Sequence, residues 1–121
     1  MSSLQLLWVA LGGALGSAGR VWITAVLPAE RFAWGTLTVN VLGSLLIGWL
    51  MARLGGPAGE HARLHALLVA GFCGGFTTFS SFSWRIFDQF QRGQPVAALA
   101  NVLLSVTLCL LATWVGWRLA R

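Results

Sequence analysis

The densest chemistry in this chain lies in the run Gly71-Phe72-Cys73-Gly74-Gly75-Phe76-Thr77-Thr78-Phe79-Ser80-Ser81-Phe82-Ser83, where glycines, hydroxyls and phenylalanines share one apolar stretch. Adjacent glycines followed by two β-branched threonines make poor helix. A break at this point frees backbone carbonyls and N–H groups, which within a bilayer is tolerated only if protein, water or an ion satisfies them. Freed carbonyls are ligands for hard cations. Beyond the break Phe79 and Phe82 are three residues apart and share a face if helix resumes, with Ser80 and Ser83 beside them. A phenylalanine pair at that spacing ordinarily faces lipid or core. The neighbouring break and hydroxyl cluster favour a pore-lining role instead.

Two further stripes carry neutral hydrogen-bonding groups. Thr36, Asn40 and Ser44 recur every four residues, as do Asn101, Ser105 and Cys109, with Thr113 continuing the second stripe. Such residues glue membrane helices together or allow close backbone approach. Two donor-rich stripes in one short chain also fit a hydrated track. Gly12 with Gly16, and Gly13 with Ser17, form overlapping small-residue pairs that imply a close helix contact. Arg20 follows on the Gly16 face and either snorkels to headgroups or draws anions into a vestibule. His61 and His65 have no thiol and only Glu60 as a neighbouring carboxylate, so they imply no metal site. Cys73 and Cys109 sit in apolar runs without CxxC spacing and imply neither a disulfide framework nor zinc.

The acids are as informative as the donors. Glu30, Glu60 and Asp88 are the only three carboxylates, and all fall in expected loops. No acid is left inside the bilayer for a proton relay or a cationic substrate. What remains is a set of neutral donors, ring edges and flanking arginines, which suits an anion moving passively. A bare anion in low dielectric is costly, so donors must replace its water. Asn40 offers an amide N–H₂, Ser and Thr offer hydroxyls, and phenylalanine edges carry the positive part of the ring quadrupole.

The elements that must position these groups follow from composition. The chain has 121 residues, is 57% hydrophobic and only 9% charged, against about 25% in soluble proteins. Its mean hydropathy is +0.78. A soluble enzyme is excluded on those numbers. The net charge of +5 comes from arginines scattered singly, with no lysine, so membrane phosphate rather than nucleic acid is the expected anionic neighbour. Four stretches reach the roughly 20 residues needed to cross a bilayer: about 4–27, 32–54, 64–87 and 96–117. Pro28 with Glu30 and Arg31, the Gly55–Gly59 cluster, and Asp88–Pro95 separate them. The fold class is therefore all-α integral membrane, one domain over 1–121, with a broken third helix. The first stretch lacks a basic start and is longer than a signal-peptide core of about 7–15 residues, so it is read as a span.

The basic residues do not choose an orientation. Arg53, Arg63, Arg118 and Arg121 fall on one side, and Arg20, Arg31, Arg85 and Arg92 on or toward the other. An excess of basic residues on one side sets topology. Its absence predicts insertion both ways, unless Arg20 or Arg85 lies too deep to count. No internal repeat supplies transport symmetry, so a second copy must.

Taken together, Gly74–Phe82, the segment Gly35-Thr36-Leu37-Thr38-Val39-Asn40-Val41-Leu42-Gly43, and Gly16-Ser17-Ala18-Gly19-Arg20 resemble the Fluc (CrcB) family of microbial fluoride channels over nearly the whole chain. The resemblance implies an antiparallel dual-topology homodimer in a prokaryotic inner membrane, with two fluoride pores. It implies that Phe79 and Phe82 meet fluoride by their ring edges, with Asn40, Thr36, Ser80 and Ser105 on the same path. Asn101, Cys109 and Arg20 match less specific parts of the pattern. It further implies that the carbonyls of Gly74 and Thr77 from each copy hold a structural Na⁺ at the dimer centre.

Two other functions fit four short spans. A small dual-topology multidrug exporter needs a membrane-embedded Glu, which this chain lacks. A non-transporting assembly subunit would use the same Gly, Ser and Thr positions only to pack helices.

Overall fold

A computed structural model describes residues 1–29 and 32–121. The chain is helical throughout its described core. The elements are α1 (Ser3–Val26), α2 (Trp34–Leu54), a third span built from α3 (Ala62–Leu64), a π-helical segment (His65–Cys73), α4 (Gly74–Phe76) and α5 (Ser80–Gln91), and α6 (Pro95–Leu119). Four stretches, Ser3–Val26, Trp34–Leu54, Ala62–Gln91 and Pro95–Leu119, are long and apolar enough to cross a membrane. Glu30 and Arg31, placed above in the first turn and counted in the charge balance, lie outside the described residues.

The ends of the spans have local causes. Ser2 caps α1 through a capping box: its Oγ accepts from Gln5 N at 3.2 Å while Gln5 Oε1 accepts from Ser2 N at 2.8 Å. Pro28 forces the residue before it out of helix, and Leu27 is extended at φ −93°, ψ 145°. Gly55 closes α2 at φ +72°, a conformation that favours glycine. Pro95 opens α6 at its first turn, where its missing N–H costs nothing. Against the expected bounds, the third span starts at residue 62 and its last helix runs on to Gln91, four residues past the expected end. The last span runs from 95 to 119.

Packing is set by glycine. α1 lies on the π segment and α2 lies on α6. A Cβ at Gly12 would stand 1.9 Å from Leu67 O, and one at Gly16 would stand 2.2 Å from Phe72 O. Both glycines are buried, so α1 rides directly on the backbone of the third span. The second contact is reciprocal: a Cβ at Gly48 would meet Thr113 O at 2.1 Å, and one at Gly116 would meet Leu45 O at 2.0 Å. Dispersion between closely packed backbones drives such contacts, since lipid removes most of the hydrophobic gain. A small apolar core of Leu50, Val69 and Cys73 sits between α2 and the π segment.

The remaining surface is apolar and outward. Leu7, Leu11 and Leu15 on α1 and Leu99, Leu103 and Leu110 on α6 are exposed, as a lipid-facing or partner-facing surface requires. Tryptophans mark the two ends. Trp22, Trp34 and Trp84 lie toward one, while Trp49, Trp114 and Trp117 sit at the other under the guanidiniums of Arg53, Arg118 and Arg121, the closest 4.1 Å from its ring centroid.

Candidate functional site

Helical pairing in the third span lapses between Phe76 and Ser80, and Thr77 is extended at φ −88°, ψ 158°. The sequence places the weakness across Gly74, Gly75, Thr77 and Thr78. Both glycines are in fact helical, and the interruption falls at Thr77–Phe79. The reason lies in where the backbone groups find partners.

Asn40 supplies the main one. Its Nδ2 donates to Thr78 O at 3.0 Å, and its Oδ1 accepts from Thr78 N at 2.8 Å. The amide thus replaces two helical bonds that Thr78 would otherwise make. Ser81 N donates to Thr78 Oγ1 at 3.2 Å, which starts α5 as a side-chain cap does. Gly75 O accepts from Arg20 Nε at 3.0 Å and from Ser17 Oγ at 3.5 Å. Arg20 therefore turns inward to the third span rather than only outward to headgroups. Thr77 folds back, with its N at 3.1 Å and its Oγ1 at 2.8 Å donating to Cys73 O.

Of the carbonyls the interruption leaves without a donor, those of Gly74 and Thr77 belong to residues that border a cavity. With Thr78 N committed to Asn40 and Ser81 N to Thr78, no hydrogen-bond donor reaches Gly74 O or Thr77 O among the described residues. Both residues border the central cavity. A Cβ built on Gly74 meets nothing within 4 Å, so that side of the chain is open. Unpaired carbonyls next to open space are what an oxygen-coordinated cation needs.

Three cavities follow the third span toward its C-terminal end, where α2 and α6 begin. The central one, about 630 Å³, is bordered by Asn40, Ser44, Phe79, Phe82, Ser105 and Cys109, with apolar walls from Ile47, Val69 and Val106. The second, about 430 Å³, is bordered by Arg20, Thr24, Thr36, Thr78, Ser80, Ser81, Trp84 and Arg85. Thr78 is common to both. Arg85 then joins the second cavity to a third of about 500 Å³, which also takes in Asp88, Gln89, Arg92 and Gln94. Among the described residues the second cavity is biased toward anions, since two guanidiniums and five hydroxyls border it and no described carboxylate does.

Phe79 and Phe82 stand with ring centroids 5.7 Å apart, tilted by 49°. Phe79 is 77% exposed, an unusual position for a phenylalanine that served packing within one chain. Thr36 is buried, and its hydroxyl makes no hydrogen bond among the described residues. Ser44 joins the central cavity, whereas Thr113 turns its hydroxyl back to Cys109 O at 3.1 Å and borders none of the three.

The fourth-span stripe divides in the same way. Ser105 and Cys109 reach the central cavity, but Asn101 does not border it. It is buried between Ser105 Oγ, which donates to its Oδ1 at 3.0 Å, and Gln89 Oε1, which accepts from its Nδ2 at 3.4 Å. By sequence Gln89 falls in the turn between the third and fourth spans, whereas in the structure it is helical, in α5. Residues 89 and 101 flank the Gly93–Pro95 turn at similar distances, and that symmetry was the available signal.

Comparison with known proteins gives one consistent result. The family described as CrcB-like protein, Camphor Resistance (CrcB), matches residues 7–117. A protein of Rhodospirillum rubrum named fluoride-specific ion channel FluC is 44% identical over 119 residues, covering 93% of this chain and 92% of its own. One of Methylocella silvestris with the same name is 42% identical over 120 residues, covering 93% and 90%. A third, from Hahella chejuensis, is 42% identical and covers 100% and 98%.

Proposed function

This chain belongs to the CrcB family, and on that premise we propose that it is a fluoride-selective channel through which a prokaryotic cell loses fluoride passively across its inner membrane. The observation that carries the reading is a row of adjoining cavities, each sharing a bordering residue with the next. Guanidiniums and hydroxyls border one end and the Phe79–Phe82 pair the other, with no carboxylate among the described residues bordering either the second cavity or the central one.

Fluoride enters the second cavity because Arg20 and Arg85 raise the local potential there. Thr36, Ser80 and Ser81 offer hydroxyls that replace its water. It passes Thr78 into the central cavity, where the edges of Phe79 and Phe82 and the hydroxyl of Ser105 take over. Asn40 keeps one amide hydrogen beyond the bond it gives Thr78, and that hydrogen is available to the anion. Larger halides fit such donors less well and hold their protons less strongly.

The working unit in this reading is an antiparallel homodimer inserted both ways. Two features support it: the open flank at Gly74 and the exposed Phe79. Gly74 O and Thr77 O would hold a Na⁺ between the two copies, each copy giving the same two ligands. An ion held there would satisfy carbonyls that the interruption leaves unpaired. Asp88, expected in a loop, is instead helical in the last turn of the third span, where it pairs with Arg92 at 2.9 Å. A multidrug-type exporter is disfavoured because neither it nor Glu60, which precedes the span, is a free acid at mid-span.

The test of the phenylalanine path is fluoride efflux from liposomes containing Phe79→Ile or Phe82→Ile protein. Each substitution is expected to cut efflux while leaving the dimer intact on size exclusion. Efflux equal to the parent would remove the rings from the mechanism. C-terminal reporters active on one side of the membrane test the topology, with signal on both sides expected.

A further inference from the structure

The hydrogen bonds that bury Asn101 all run one way. Ser105 Oγ donates to Asn101 Oδ1, and Asn101 Nδ2 donates to Gln89 Oε1. Asn101 and Ser105 are 5% and 6% exposed, so little water competes for these groups. The two ends of the file open on different cavities. Ser105 borders the central cavity with Phe79 and Phe82, while Gln89 borders the loop-side cavity with Arg85, Asp88 and Arg92.

In this polarity Ser105 has nothing to offer an anion. Its one proton is given to Asn101, and only lone pairs are left for the central cavity. An amide, however, is a donor on one side and an acceptor on the other. Rotating both amides by half a turn reverses the file without losing a bond: Gln89 Nε2 then donates to Asn101 Oδ1, and Asn101 Nδ2 donates to Ser105 Oγ. The Ser105 proton is released toward the cavity. Gln89 Oε1 is left on the loop side, where Arg85 and Arg92 supply donors. Both polarities satisfy the same buried atoms, so no buried group is orphaned by the change.

We propose that Gln89, Asn101 and Ser105 form a reversible hydrogen-bond file whose polarity is set by an anion in the central cavity. Gln89 and Asn101 act as positioning residues that make Ser105 a donor only when an anion calls for it. The reward for reversal grows with the acceptor strength of the anion, and among halides it is largest for fluoride. The file therefore adds to selectivity without touching the ion except through Ser105. This inference rests on the central cavity being the fluoride path.

The test is Gln89→Glu. A carboxylate can only accept, so it holds the file in the resting polarity and withholds the Ser105 proton. Fluoride efflux from liposomes is expected to fall about tenfold or more, to the level of Ser105→Ala, as for a lost hydrogen bond to a charged partner. The added negative charge alone would also slow an anion, and a double-mutant cycle separates the two effects. With the polarity locked, Gln89→Glu in a Ser105→Ala background is no slower than Ser105→Ala. In an Asn101→Leu background, where nothing links Gln89 to Ser105, it likewise adds nothing. Additive losses in either background, or parental efflux for Gln89→Glu as a monodisperse dimer, overturn the proposal. Absence of fluoride efflux from the parent protein overturns the channel reading itself.

Discussion

Replacing Asn40 by Leu removes one side chain and orphans two backbone groups. Thr78 N loses its acceptor at 2.8 Å and Thr78 O loses its donor at 3.0 Å, in a part-buried setting. Each unsatisfied group costs about 1–3 kcal/mol, so the interrupted conformation loses about 2–6 kcal/mol of support. The chain has one local escape. Thr78 N can turn to Gly74 O, its partner four residues back in a regular helix, and that closes the interruption and consumes a free carbonyl. The competent conformer then falls by at least about 30-fold, taking tenfold per roughly 1.4 kcal/mol. Two assays read this: fluoride efflux from liposomes, and the melting temperature of the purified protein. Both are expected to drop for Asn40→Leu. Asn40→Asp keeps the acceptor for Thr78 N but sets a carboxylate against Thr78 O, so it too should lose most efflux. Efflux within about twofold of the parent for Asn40→Leu would refute the reasoning. Lost efflux at an unchanged melting temperature would reduce Asn40 to an anion donor and nothing more.

Gly12→Ala and Gly16→Ala place a methyl 1.9 and 2.2 Å from carbonyl oxygens of the third span, whereas Gly13→Ala meets its nearest atom at 3.8 Å. The first two should lower the melting temperature sharply, by a cost of about 3 kcal/mol or more for overpacking against backbone, and the third should be nearly neutral. Gly74→Ala meets nothing within this chain and involves no unusual φ. It should leave the isolated chain undisturbed yet weaken the dimer and its efflux, measured by size exclusion and flux. Exchange of Na⁺ for a larger monovalent cation during purification should lower efflux or stability in the parent, and full activity without Na⁺ would count against a structural ion.

Much of this arrangement was legible in the sequence, and the parts that were not share a cause. The four spans follow from apolar length, which the bilayer dictates directly. The Gly12–Gly16 contact was legible because only a missing Cβ permits backbone to touch backbone. Phe79 and Phe82 were paired by spacing alone. By contrast, Arg20 on Gly75 O, Asn40 on Thr78, and Gln89 on Asn101 each depend on where a distant backbone or side chain comes to rest. A polar residue in a membrane announces that it needs a partner, and its type does not say which. The interruption shows the same limit. Poor helix formers lie from Gly74 to Thr78, but the bond from Asn40 fixes the lapse at Thr77–Phe79 rather than at the glycines. The π winding of His65–Cys73 had no signature in the sequence.

The central claim is passive, selective movement of fluoride. Liposomes loaded with potassium fluoride or potassium chloride and carrying the purified protein test it once a K⁺ ionophore removes the electrical limit. Rapid fluoride efflux with no chloride efflux above protein-free liposomes is the predicted result. No fluoride efflux, or equal efflux of the two anions, would contradict it.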